Sequence, residues 1–155
     1  MRKKRIFVIL LLLMSISCQK KDEDESSIIQ INYGTSFGMC IGYCKKEVYI
    51  KSGNVTYKHS GWMDSIITKT CSDSLPQENW SSLLSGLDTK KFFDLPGTIG
   101  CPDCADGGAE YVEIETFSGD KHKVTFEYLK EPELLKNTIT DLRKQAEKAT
   151  ACFEN

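Results

Sequence analysis

Proline is scarce in this chain, four residues in 155, and no internal repeat or low-complexity tract is present, which excludes a collagen-like or disordered polymer. Long apolar runs are missing too. The longest is nine residues, Ile6 to Met14, against the roughly 20 that a membrane-spanning helix needs. Basic excess is absent beyond the N-terminus: residues 1–17 hold four basic side chains and no acid, and the remainder has 16 basic against 22 acidic, so no nucleic-acid surface is implied. No glycine loop of the phosphate-cradling kind precedes a helix, and Trp62, Trp80 and the tyrosines form no basic-aromatic platform. Histidine occurs only as His59 and His122, with no serine or cysteine spaced to stand beside either; no triad can be read, and surface positions are expected for both. What is present is 40% apolar composition over the length of one domain, together with seven cysteines.

Arg2-Lys3-Lys4-Arg5 precedes the apolar run, and Ser15-Ile16-Ser17-Cys18 follows it. A charged segment, a short apolar segment and small residues at a cleavage site make residues 1–17 a signal peptide. The stretch resembles that of bacterial lipoproteins, whose signal ends in a small residue before a cysteine: Ser17-Cys18 matches, and Ser15 stands where leucine is usual. The resemblance implies that Cys18 becomes the first mature residue and carries lipid; two or three acyl chains make a stable anchor where one does not. An ordinary secretory signal with Cys18 merely nearby is the alternative. Gln19 to Ser26 holds no apolar residue, so residues 18–26 read as a solvated acidic tether. Such a stretch after the lipidated cysteine resembles the signal that sends some lipoproteins to the outer face of the outer membrane.

Residues 27–155 read as a single domain. Ile28 to Tyr33 form a β-rich run ended by Gly34, and Cys44–Lys51 and Asn54–His59 flank Ser52-Gly53 as a hairpin. Ile66 to Cys71 suggests a further strand. Ser74 and Pro76 look like a helix start, followed by Trp80, Leu83, Leu84 and Leu87 at helical spacing, with Phe92, Phe93 and Leu95 as a short continuation. After the loop Gly97 to Gly108, Val112-Ile114-Thr116 and His122-Val124-Phe126-Tyr128 alternate around a second turn. Pro132 then starts a helix with the stripe Leu135, Ile139, Leu142, Ala146, Ala149 and Phe153. The expected class is α+β: antiparallel hairpins with two main helices on one sheet face. Phe37-Gly38-Met39-Cys40 entering a hairpin, then a helix and a second hairpin, is similar to a family of small uncharacterised lipoprotein domains with a Phe-Gly-x-Cys-Pro segment, here with Ile41 at the proline position. That resemblance implies no activity.

Setting Cys18 aside leaves Cys40, Cys44, Cys71, Cys101, Cys104 and Cys152, an even number that outside the cytoplasm suggests disulfides, in any of 15 connectivities. Cys40 and Cys44 would stand roughly 13 Å apart on a regular strand, so pairing them needs the bend that Gly42 permits. A bridge at Cys152 would pin a terminus that otherwise frays. Cys101-Pro102-Asp103-Cys104 is a C-x-x-C motif and opens two alternatives. A thiol-disulfide redox site would want a helix N-terminus at the first cysteine, and a turn follows here. A zinc site could use Cys40, Cys44, Cys101 and Cys104, although no metal is called for. In every case the Gly97–Gly108 loop is expected to lie against the Phe37–Cys44 segment, held by cysteine chemistry.

Asp103, Asp106 and Glu110 invite a calcium reading, but ligand alternation is lacking and an acidic solvated turn is expected. Glu113 and Glu115 share a strand face and read as solvent-facing. No cofactor is implied. The functional expectation is a lipid-anchored cell-envelope protein, a non-catalytic binding or structural module on the outer membrane and displayed at the surface. Its partners would be the membrane through Cys18 and an envelope protein or extracellular ligand. An enzyme would need a convergent cluster that only the two cysteine-bearing loops could supply.

Overall fold

A computed structural model describes residues 27–62 and 68–154. The signal peptide, Cys18, the tether and the Ile66 end of the expected strand lie outside the described residues. The first strand, β1 (Ile28–Ser36), becomes the middle of a seven-stranded sheet. β2 (Lys45–Lys51), β3 (Asn54–Ser60) and β4 (Lys69–Ser74) add to one side of it as a meander; β6 (Ala109–Thr116) and β7 (Lys121–Glu127) add to the other. The short β5 (Thr98–Ile99) closes that edge, parallel to β7, in the order β4-β3-β2-β1-β6-β7-β5 with every other pairing antiparallel. Helices α1 (Gln77–Ser85), α2 (Thr89–Phe93), α3 (Lys136–Glu147) and α4 (Ala149–Glu154) complete the chain. The class is α+β.

Register explains the layering. Ile31 pairs with Ile50 and Ile114, and Tyr33 with Val48 and Val112, so the apolar phases of three strands coincide on one face. The helices cover that face with Trp80, Leu83, Phe92, Leu135, Ile139, Leu142 and Ala149. Burying Ile139 and Leu142 contributes about 1.5–3 kcal/mol each, more than any single-residue helix propensity, so the stripe places α3 even though its sequence includes Asn137, Thr138 and Thr140. The opposite face is polar: Glu115 pairs with Lys121 at 3.2 Å and Glu113 accepts from Asn32 at 2.8 Å.

Four local expectations are corrected. β1 runs through Gly34 because Tyr111 of β6 lies across it, a Cβ there falling 2.4 Å from the ring, and Tyr111 donates to Glu47 at 2.8 Å. Ser74 ends β4 and caps nothing; Pro76 stands at the helix entry without a side-chain cap. The expected strand at Ile66–Cys71 is found as β4 from Lys69 and runs on past Cys71 to Ser74, its first two expected residues lying outside the described ones. The last helix begins as a 3-10 turn at Glu133–Leu135 and breaks at Lys148, so its stripe is shared by α3 and α4.

Candidate binding cleft

One row of the inner face departs from the apolar pattern. Two residues beyond Tyr33 along β1 is Thr35, which pairs with Lys46 on one side and Glu110 on the other; Lys46 pairs with His59, His59 with Lys69, and Glu110 with Phe126. Thr35, Lys46, His59 and Glu110 of this row floor an open cleft of about 470 Å³ between the sheet end and α3–α4, walled by Phe37, Tyr128, Leu129, Ala146, Glu147 and Thr150.

Glu110 is wholly buried there. An ionised carboxylate without partners would be prohibitively costly in such a place, and three donors meet it. Tyr33 donates its hydroxyl to Oε1 at 3.0 Å, Arg143 donates Nε to the same oxygen at 3.1 Å, and Arg143 Nη2 donates to Oε2 at 2.6 Å. Nη2 also reaches Glu131 at 2.7 Å, in the turn before α3. The side-on fork is one that lysine could not make. Burial, and then the carboxylate of Glu110, push the Tyr33 phenol far above its ordinary value, so it stays a donor. The hydrogen bond from Arg143 holds the Glu131 carboxyl below its usual range, and the bond to Glu110 raises Arg143 further still. The carboxylate of Glu110 is therefore committed to positioning α3, while Arg143 Nη1 has no hydrogen-bond partner among the described residues and its side chain is a quarter exposed on the cleft.

His59 packs its ring against Phe153 at 4.7 Å, half-buried. Desolvation, with Lys46 and Lys69 on either side in the row, depresses its pKa and keeps the imidazole neutral near pH 7. His122 is also half-buried: its Nε2 lies 2.9 Å from the Leu95 carbonyl and its ring stacks edge-on to Phe92, locking α2 to the sheet. The expected surface histidines are thus both packing residues.

The cysteines fall into three pairs at disulfide distance, Cys40 with Cys44, Cys71 with Cys152, and Cys101 with Cys104, with Cα separations of 5.6, 6.0 and 5.5 Å. Gly42, at φ +95°, supplies the bend that brings Cys40 to Cys44. Cys152 is pinned to the edge strand β4. Cys101 and Cys104 sit in a tight turn where Asp103 and Ala105 are left-handed and only a three-residue 3-10 turn follows, not a helix. Among the described residues no three His, Cys, Asp or Glu side chains gather as metal ligands, so the four cysteines weighed for zinc are not one cluster.

The two cysteine-bearing loops do meet, but not through sulfur. Asp103 Oδ1 accepts from the backbone N–H of Gly38 at 3.1 Å and of Gly108 at 3.2 Å, and the Phe37 ring covers Gly108, which at φ +82° has no room for a Cβ. Phe37 also packs edge-on to Tyr128 at 4.8 Å. Asp103 is a structural clasp and Glu110 a core residue, so neither belongs to the solvated acidic turn expected of them. Above this clasp the loop raises Met39 and Ile41 into solvent beside Trp62, whose indole N–H donates to the Phe37 carbonyl and whose ring lies under Lys45 at 3.9 Å. Sequence reasoning put Glu110 in an acidic turn and passed over Arg143; the signal that Glu110 faces the core was its place in the alternation with Val112 and Ile114.

No protein-family model matches the chain, and no curated protein matches it.

Proposed function

We propose that the protein is a lipid-anchored cell-envelope module, held to the outer membrane through Cys18, displayed at the surface, and acting by binding rather than catalysis. The observation that carries this reading is the cysteine arithmetic: all six cysteines of the domain pair with one another, leaving Cys18, next to the small Ser17, as the odd thiol. Three pairs in so small a domain suit an oxidising compartment. Binding is favoured over catalysis because the buried carboxylate of the cleft has both oxygens occupied by fixed donors and is spent on architecture. The binding end is the one with the cleft and the apolar tip of Met39 and Ile41, at the far end of β1 from the chain entry at Ser27.

Metabolic labelling of the expressing cells with a palmitate analogue tests the anchor. Incorporation that disappears in Cys18→Ala is expected; no incorporation, or labelling unchanged by that substitution, overturns the reading.

A further inference from the structure

The opposite end of the sheet carries two exposed apolar side chains that the cleft does not explain. Phe117, in the turn between β6 and β7, is 72% exposed, and Ile29, at the start of β1, is 38% exposed. The turn is not loose. Thr116 N–H donates to Asp120 at 3.0 Å, Gly119 N–H to Thr116 at 3.0 Å, and the Ser118 hydroxyl bridges Thr116 and Asp120 at 2.8 Å to each. These bonds fix the backbone of the turn that carries the exposed Phe117 ring. The backbone N–H of Phe117 donates to the carbonyl of Ser27 at 2.8 Å, so the ring stands where the chain enters the domain.

That position decides the occupant. Only eight residues lie between Cys18 and Ser27, and the nine residue steps from one to the other span at most about 30 Å fully extended. A domain tethered so closely meets the bilayer surface far more often than it meets any free partner, because the tether makes the encounter intramolecular. Exposed phenyl and aliphatic side chains gain by burial at the headgroup–acyl boundary of a bilayer. The recess between α2 and this turn holds Lys90 together with Asp94 and Asp120, so it offers no net cation and the seat is apolar.

We propose that Phe117 and Ile29 form a foot that seats the domain on the membrane holding its anchor, pointing the cleft and the Met39–Ile41 tip outward. The inference rests on the lipid anchor proposed above. Because β1 is nine residues long, the foot and the tip lie about 30 Å apart.

Purified lipidated full chain is reconstituted in phosphatidylethanolamine–phosphatidylglycerol vesicles with or without brominated acyl chains, carrying either Phe117→Trp or Ile41→Trp. Above the background of Trp62 and Trp80, the emission added by Phe117→Trp is expected to be quenched and blue-shifted, and that added by Ile41→Trp to be unchanged. If the protein floats with the vesicles and the Phe117→Trp emission is not quenched, or both variants are quenched alike, the foot is overturned while the anchor stands. If the protein fails to float, or floats equally well as Cys18→Ala, the anchor falls and the foot with it.

Discussion

Glu110 and Arg143 sit at the junction of sheet and helix layers, and their energetics are asymmetric. The intact pair roughly balances desolvation against attraction, but removing one partner leaves the other uncompensated. Arg143→Met strands a wholly buried carboxylate and is expected to cost about 3–5 kcal/mol, read as a lower urea midpoint with an unchanged slope. Arg143→Lys keeps the charge but not the fork and should fall between the two. An unchanged midpoint in Arg143→Met would show that the pair does not position α3. The pair was half legible. Beyond residue 17, Arg143 is the single arginine in the chain, and it lies one helical turn after Ile139 on the inward stripe. Glu110 continues the inward phase of Val112 and Ile114, yet its neighbours Asp103, Asp106 and Gly107-Gly108 make it look like part of a polar turn. Their contact spans 33 positions, and no local period reports a pairing at that range.

Within the elements, the alternating runs located β2, β3 and β7 almost to the residue, and β6 from Val112 on but not its first three residues, because each buries one face and exposes the other. It failed where a neighbour overrides local preference. Gly34 reads as a strand end, but the strand continues because the Tyr111 ring covers the glycine from the next strand. β5 is two residues long and has no period to read; only its parallel pairing with β7 makes it a strand. Gly34→Ala is therefore expected to destabilise by about 1–3 kcal/mol, as overpacking does elsewhere. The loss should shrink in a Tyr111→Ala background, where the added methyl meets no ring. A thermal-unfolding double-mutant cycle measures that coupling, and a Gly34→Ala cost equal in both backgrounds would refute the account.

For the molecule as a whole, the three cysteine pairs are unequal. Cys71 and Cys152 are 81 positions apart, whereas the other pairs are separated by 4 and 3. In the chain-entropy description a link over the long loop restrains the unfolded chain by about 4.5 kcal/mol, and each short one by about 2. Replacing Cys71 and Cys152 together with alanine should lower stability more than removing either local pair, and should speed amide exchange in β4 and α4 ahead of β1. Equal losses from all three double replacements would contradict this.

The central place of β1 also sets an order of events as the chain emerges N-terminus first, which for an exported protein is on the far side of the membrane during synthesis-coupled translocation. β2, β3 and β4 can fold back on β1 as soon as residue 74 is out, but the other side of β1 waits for Ala109–Thr116. At 5–20 residues per second, the interval from residue 74 to residue 116 lasts roughly 2–8 s. Through that time the nascent chain presents an open edge along what will become its middle, a template for pairing with any other extended segment. Gln30 and Asn32 put amide groups along that edge's outer face, while Ile31 and Tyr33 lie bare on the inner one. A factor that shields extended chain would be needed most in this window, before the last third of the polypeptide arrives.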